Sequence, residues 1–144
     1  LMPLALLMLL AFAIGDACKE LETGVYIANA TKGWLSPELL PAVVFIISSL
    51  IAFSTGTSWG TFAIMLAISI PMSHIHGADL TIIVAATLGG GVFGDHCSPI
   101  SDTSIISSMA SASDHIDHVK TQLPYALIGG LITTALYVLI GYFG

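Results

Sequence analysis

Charged residues are scarce in this chain. Only three of its 144 residues are Lys or Arg and nine are Asp or Glu, so the charged share is 8%. A soluble domain typically has about a quarter charged residues. This scarcity, with a mean hydropathy of +0.95, excludes a water-soluble protein. Three basic residues also form no basic patch, which excludes nucleic acid as a partner.

Cysteine and alternating polarity are also lacking. Cys18 and Cys97 are the only cysteines and form no CxxC pair, so a disulfide framework is excluded. The apolar runs are continuous rather than alternating, which excludes a membrane-spanning barrel. Helices are the other structure that satisfies backbone groups in lipid. We therefore expect an all-α integral membrane protein with polytopic helices.

The beginning of the sequence lacks the features of a complete start. Leu1 stands inside an apolar run, without the basic stretch or small-residue cleavage site that marks a signal peptide. We expect a fragment of a longer membrane protein over 1–144, in which 1–30 is a partial transmembrane helix and its end. We expect the charged Asp16, Lys19, Glu20 and Glu22 to mark an interfacial helix end. The alternative is a charged middle of a helix that continues through "TGVYIA".

Segment lengths divide the rest of the chain, because a hydrocarbon core of about 30 Å takes about 20 helical residues. The run 124–143 starts with Pro124 and has Tyr125 and Tyr142 near its ends. Proline suits a first helical turn and tyrosine suits the membrane interface. This run therefore predicts an ordinary final transmembrane helix.

Residues 36–73 do not fit one membrane span. Ser36 and Pro37 favour a helix start, "STGTSWGT" interrupts the apolar run, and a second run stops at Pro71. A single helix would be about 50 Å long, whereas the second arm alone would be about 15 Å. We therefore predict a re-entrant hairpin with its tip near the bilayer midplane.

Residues 80–112 are interrupted in the same way. The apolar run 80–93 is followed by "GDHCSPISDTS" and then by "TSIISSMASA". This order predicts a discontinuous transmembrane helix. Its glycines, above all Gly90 and Gly94, predict close approach of a neighbouring backbone. The polar stretches 72–79 and 113–122 are expected to be connections or helix ends, with His74 and His76 in an interfacial loop.

The two interruptions carry the candidate chemistry. A helix that unwinds in a membrane frees carbonyl oxygens and N–H groups, and such a gap binds ions. Cages of oxygen ligands with little charge suit a hard cation such as sodium. The candidate cation ligands are Ser54, Thr55, Gly56, Thr57, Ser58, Gly60, Asp95, Ser98, Ser101, Asp102 and Thr103.

Asp95 and Asp102 are also the candidate proton carriers. Desolvation raises the pKa of a carboxyl group and a bound cation lowers it, so one carboxylate takes either a proton or a sodium ion. That exclusion is the chemical basis of antiport. Asp95 is the first choice because it follows an apolar half-helix.

Plainer interpretations stand beside these. A membrane Ser or Thr commonly donates to a carbonyl of the preceding turn, Asp102 suits a helix cap, and Trp59 suits packing. A zinc site is the weaker alternative, because no HExxH pattern is present and "DHIDH" is typical of a solvated connection. The side chains that would form it are His96, Cys97, Asp114, His115, Asp117 and His118.

Three stretches also resemble the NhaC-type sodium/proton antiporter family: "FSTGTSWGTF" (53–62), "GGGVFGDHCSPISDTSIISS" (89–108) and "DHVKTQLPYAL" (117–127). A weaker match is "KELETGVYIA" (19–28). The resemblance implies that 1–144 is a C-terminal fragment of one membrane transporter domain, about a third of an antiporter. It also implies half of an inverted-repeat transporter, in which each repeat adds a hairpin and an interrupted helix to the cation site.

The resemblance also implies the activity, which is exchange of sodium for protons. The alternatives are a sodium- or proton-coupled exchanger of organic acids such as malate and lactate, or of amino acids, and a membrane metalloenzyme. The expected partners are sodium ions, protons, the lipid bilayer and the remaining half of the transporter, and homo-oligomerisation is left open. We expect no enzymatic cofactor and a multi-pass location in a prokaryotic plasma membrane.

Overall fold

The regular secondary structure of the described residues is helical. A computed structural model describes residues 2–143, so Leu1 and Gly144, with the expectation drawn from Leu1, lie outside it. No strand occurs in the described residues, as the composition predicts. The helices are α1 (Met2–Glu20), α2 (Thr23–Thr31), α3 (Leu40–Thr55), α4 (Ser58–His76), α5 (Leu80–Cys97), α6 (Asp102–Ala110) and α7 (His115–Phe143).

Helices α3 and α5 pack directly backbone to backbone. A Cβ atom on Gly90 would overlap the Phe45 carbonyl, and one on Gly94 would overlap the Ser49 carbonyl. The prediction of close approach at these glycines is therefore confirmed. Gly90 and Gly94 are four residues apart, and so are their partners Phe45 and Ser49, in the same order along the chain. The two helices therefore run parallel.

Helix α4 runs antiparallel to α5 and therefore also to α3. Gly77 ends α4 with a left-handed backbone (φ 73°), and Asp79 starts α5 by accepting from the Ile82 N–H at 3.1 Å. Farther along, the buried hydroxyls of Ser69 and Thr87 lie 3.0 Å apart. The buried core between these helices contains aliphatic side chains such as Val44 and Ile83, together with Met65 and the aromatic Phe45.

Pro71 does not end α4, so that prediction is wrong. The helix has 19 residues and continues to His76, which makes it about 28 Å long rather than about 15 Å. Proline removes one N–H and leaves the Ala67 carbonyl without its helical partner. Gly24 of α2 packs closely against this carbonyl, so tertiary packing supports the helix at this point.

The expected loop at His74 and His76 is also wrong, because both residues are helical. The His76 Nε2 atom lies 3.1 Å from the Ala28 carbonyl and 3.2 Å from the Thr31 hydroxyl oxygen. The last turn of α4 is thereby bonded to the end of α2.

The first two helices lie along α4. Gly15 packs against Ala63, and Gly24 packs against Ala67 and Ile68. Helix α1 ends at Glu20 as expected, but after a left-handed Glu22 (φ 50°) the chain resumes as α2. The charged stretch therefore lies beside the middle of α4, which fits the alternative of a charged middle better than an end of the bundle.

Helix α7 starts earlier than predicted. The Asp114 Oδ1 atom accepts from the N–H groups of Ile116 (2.9 Å) and Asp117 (3.2 Å), and Pro124 lies inside the helix. Of the two possibilities for 113–122, a connection or a helix end, the residues from His115 onward form a helix end, because an aspartate cap starts the helix before its apolar part.

Three helices in the described residues are long and apolar enough to cross a membrane, namely α4, α5 and α7. Helix α3, with 16 residues, is about 24 Å long. Both hairpin arms are therefore close to the thickness of the hydrocarbon core, and the length argument for a re-entrant arm does not hold. The depth of the hairpin tip stays a prediction.

Candidate cation site at two helix breaks

The two breaks in the helices lie against each other. Between α3 and α4 the chain leaves helical geometry at Gly56 (φ 66°) and Thr57 (φ −145°). A Cβ atom on Gly56 would lie 2.9 Å from the Ile100 carbonyl oxygen in the second break. Parallel packing of α3 and α5 explains the contact, because it places both helix ends at the same level.

Asp95 is the buried carboxylate of this site. It lies in the last turn of α5 and is 4% exposed. The Ser101 hydroxyl donates to Asp95 Oδ1 at 2.7 Å, and Ser98 and Ser101 are both fully buried. The structure thus brings Asp95, Ser98 and Ser101 together, as a cation site requires.

Ser101 also starts α6. Its Oγ atom accepts from the Thr103 N–H at 3.2 Å and lies 2.7 Å from Thr103 Oγ1. The single Ser101 proton is directed to Asp95, so the Thr103 hydroxyl is the donor in that pair. The three side chains form one hydrogen-bonded chain that ends on the carboxylate.

Asp102 has a different environment. It is exposed in the first turn of α6, and the helix cap is Ser101. The alternative interpretation of Asp102 as the cap is therefore wrong. Although Asp95 and Asp102 are both near the break, only Asp95 is enclosed by protein.

The hydroxyl groups of the first break mostly bond to their own helices. Ser54 donates to the Leu50 carbonyl at 2.8 Å, and Thr55 donates to the Ile51 carbonyl at 2.9 Å. These are the local bonds of the plainer interpretation. Thr57 and Ser58 are half-buried, and Gly60 is buried against Thr57. Of the first break, Gly56 and Thr57 are closest to the second.

Some carbonyl oxygens at the second break are bonded and others are free. The Asp95 carbonyl accepts from Ser98 N–H at 3.0 Å, and the Ser98 carbonyl accepts from Ser101 N–H at 3.3 Å. No described residue donates to the carbonyls of Cys97 and Ile100. One buried carboxylate with free carbonyls is a ligand set of low charge that suits a monovalent hard cation.

Two residues of α7 also reach the break. The His115 Nε2 atom lies 2.7 Å from the Pro99 carbonyl, and the Gln122 side chain donates to the His96 carbonyl at 3.2 Å. Sequence reasoning considered His115 only as a zinc ligand and did not name Gln122, because it treated this stretch as a solvated connection. Their spacing of seven residues, which places them on one helix face, is the signal that could have found them.

The side chains of the zinc alternative are not assembled into a site. Within residues 2–143, no three His, Cys, Asp or Glu side chains are grouped as metal ligands. The His96 Nδ1 atom lies 3.1 Å from the Val92 carbonyl of its own helix, and His115 binds the Pro99 carbonyl.

Comparison with known proteins gives a consistent set of relatives. A family model described as "Na+/H+ antiporter family" matches residues 1–142. The chain is 41% identical to an uncharacterised protein of Haemophilus influenzae, over 92% of the chain and 26% of the relative. It is 31% identical to the malate-2H(+)/Na(+)-lactate antiporter of Bacillus subtilis, over 76% of the chain and 23% of the relative.

A third relative is the Na(+)/H(+) antiporter NhaC of Alkalihalophilus pseudofirmus, which is 28% identical over 74% of the chain and 23% of the relative. The chain thus spans about a quarter of the length of these curated relatives. No solved structure matches it.

Proposed function

Because this chain belongs to the Na+/H+ antiporter family, we propose that it forms part of a membrane transporter that exchanges sodium ions for protons. The observation that carries the proposal is the contact of Gly56 with Ile100 beside the buried Asp95. The cation binds where the two breaks meet. We expect the rest of the transporter, in a multi-pass cell-membrane protein, to enclose the site.

Asp95 is the proton carrier in this proposal. Its burial makes the charged carboxylate costly unless a partner compensates it. A sodium ion held by the carboxylate and by the free carbonyls of Cys97 and Ile100 provides that compensation, and so does a proton. The two occupants exclude each other, because each neutralises the same charge. Exchange follows when the occupied site is opened alternately to the two sides.

The test is sodium-driven proton flux in vesicles that contain the intact protein. Asp95→Asn removes the charge that both ions share, so flux should fall by about 100-fold or more, a loss of about 3 kcal/mol. Asp102→Asn is the matched control, because Asp102 is exposed at the same break. Its flux should stay within about twofold of the parent. An Asp95→Asn variant with unchanged flux and pH profile would exclude Asp95 as the carrier.

A second candidate is coupled exchange of organic acids. It is favoured by the similarity to the Bacillus subtilis malate-2H(+)/Na(+)-lactate antiporter, which is 31% identical to this chain. Counterflow of labelled malate and lactate in the same vesicles distinguishes the candidates. Labelled acid that exchanges across the membrane supports this second function, and proton flux that depends on sodium alone supports the first.

A further inference from the structure

The N-terminal part of α7 forms hydrogen bonds directly with the second break. His115 is half-buried, and its ring contacts two different elements. Its Nε2 atom lies 2.7 Å from the Pro99 carbonyl, and its Nδ1 atom lies 3.2 Å from the Ser108 hydroxyl oxygen in α6. One side chain therefore joins α7, α6 and the break.

The direction of these bonds follows from the partners. A carbonyl only accepts, so the His115 Nε2 atom carries the proton in the bond to Pro99. The Ser108 hydroxyl also lies 2.8 Å from the Ile105 carbonyl. It can turn its proton toward either partner, so the ring is satisfied both as neutral imidazole and as imidazolium. The bond to Pro99 is thus kept in both protonation states.

A second bond fixes the preceding carbonyl. The His96 carbonyl accepts from the Gln122 amide and from the Ser104 hydroxyl, each at 3.2 Å. The carbonyls of His96 and Pro99 are directed to these donors, whereas the carbonyls of Cys97 and Ile100 are left free. The donors on α7 thereby select which oxygens remain for a cation.

We propose that His115 and Gln122 are positioning residues of the cation site: they hold the carbonyls of Pro99 and His96 against α7 and so fix the shape of the break. Neither side chain is a ligand in this scheme. The transport effect rests on the proposed function, whereas the effect on the conformation of the break does not.

The variant His115→Phe keeps an aromatic side chain but removes both ring nitrogen atoms. It should raise the sodium concentration for half-maximal proton flux by about three- to tenfold, the size of one lost hydrogen bond, with the maximal flux largely kept. His115→Gln supplies an N–H at a similar reach and should restore the parent value. His118→Phe, one turn farther along α7, is the matched control and should have the parent value.

A second measurement reports on the conformation of the break and does not require transport. Cys97 is buried at the end of α5, directly before the break. Loss of the bond to Pro99 should raise the rate at which a small maleimide modifies Cys97 by about three- to tenfold. The rate is measured on the Cys97 peptide by mass spectrometry in the intact protein. Gln122→Met, which removes the other donor, is measured in the same way if His115→Phe does not accumulate.

The outcomes separate the two proposals. Faster modification of Cys97 in His115→Phe, with parent rates in His115→Gln and His118→Phe, supports the positioning role even if the parent protein shows no sodium-driven flux. In that case only the proposed function fails. Parent rates of modification in both His115→Phe and Gln122→Met overturn the positioning role, as does an unchanged sodium dependence beside normal flux.

Discussion

Residue identity alone does not decide what a polar side chain does in this molecule. Asp95 and Asp102 are the same residue type at the same break, yet one is buried under Ser101 and the other is exposed. The difference comes from the helix ends: Asp95 closes α5 on its packed side, whereas Asp102 follows the cap of α6. The neighbouring element therefore determines which of the two carboxylates the protein encloses.

A backbone effect at one residue can be tested directly. Ala112 is exposed with a left-handed backbone (φ 51°), a conformation that disfavours residues with a Cβ atom. Ala112→Gly should therefore increase the free energy of unfolding by about 0.5–1 kcal/mol. Ala135→Gly, in the exposed middle of α7, should decrease it by a similar amount. Thermal unfolding of the purified protein in detergent measures both, and a less stable Ala112→Gly variant would contradict the argument.

At the scale of elements, glycine decides how closely the helices and breaks pack. Gly90 and Gly94 bring α5 onto the backbone of α3, and Gly24 brings α2 onto the Ala67 carbonyl beside Pro71. In a bilayer, small residues of this kind favour close helix contact because lipid supplies little hydrophobic drive for association. The same helix contact places the hairpin tip at the level of the second break.

Contact between the two breaks is testable with a matched pair of glycines. Gly56 and Gly77 both have positive φ, but only Gly56 lies against another element, at Ile100. Alanine at either position has a backbone strain of about 1–2 kcal/mol. Gly56→Ala additionally pushes the breaks apart, so its sodium-driven flux should be about tenfold or more below that of Gly77→Ala. Equal flux in the two variants would show that the contact does not matter for transport.

At the scale of the whole molecule, α3, α4, α5 and α7 pack along one another as one layer of helices. Gly130 of α7 packs on Phe93 and Gly141 packs on the Glu38 carbonyl, so α7 returns along α5 in the opposite direction. The connections at 32–39 and 77–79 lie at one end of this layer, and the breaks lie at the other. The charged stretch of α1 and α2 lies beside the middle of α4, where charge is costly unless protein or water covers it.

This arrangement predicts the sidedness of two exposed positions. Cysteine is introduced at Gly33, where an added Cβ atom would meet no atom within 4 Å, and at Ser113, in the turn before α7. The two cysteines should react with an impermeant maleimide from opposite sides of the membrane. The reason is that α5, about 27 Å long, separates the two ends. Labelling in sealed vesicles and in inverted vesicles measures this, and reaction from the same side would contradict it.

How much of the fold could be predicted depends on the kind of signal. Continuous apolar runs indicated membrane helices, and clusters of Gly, Ser and Thr indicated where helices stop, because both depend on local chemistry. Prolines misled the prediction at Pro71 and Pro124, since the lost N–H is tolerated inside a helix. The role of His115 was missed because a polar stretch gives no indication of which helix it will pack against.

The sequence by itself determined that this chain is helical, belongs in a membrane and has interruptions near residues 56 and 98. Composition and backbone preference act within a few residues, so their effects can be predicted without knowledge of the tertiary structure. Only the tertiary structure decided that the two interruptions meet, that Asp95 rather than Asp102 is enclosed, and that α7 bonds the break. The first outcome depends on the parallel packing of α3 and α5 and the last on the packing of α7 against the break. Both join residues that are far apart in the chain.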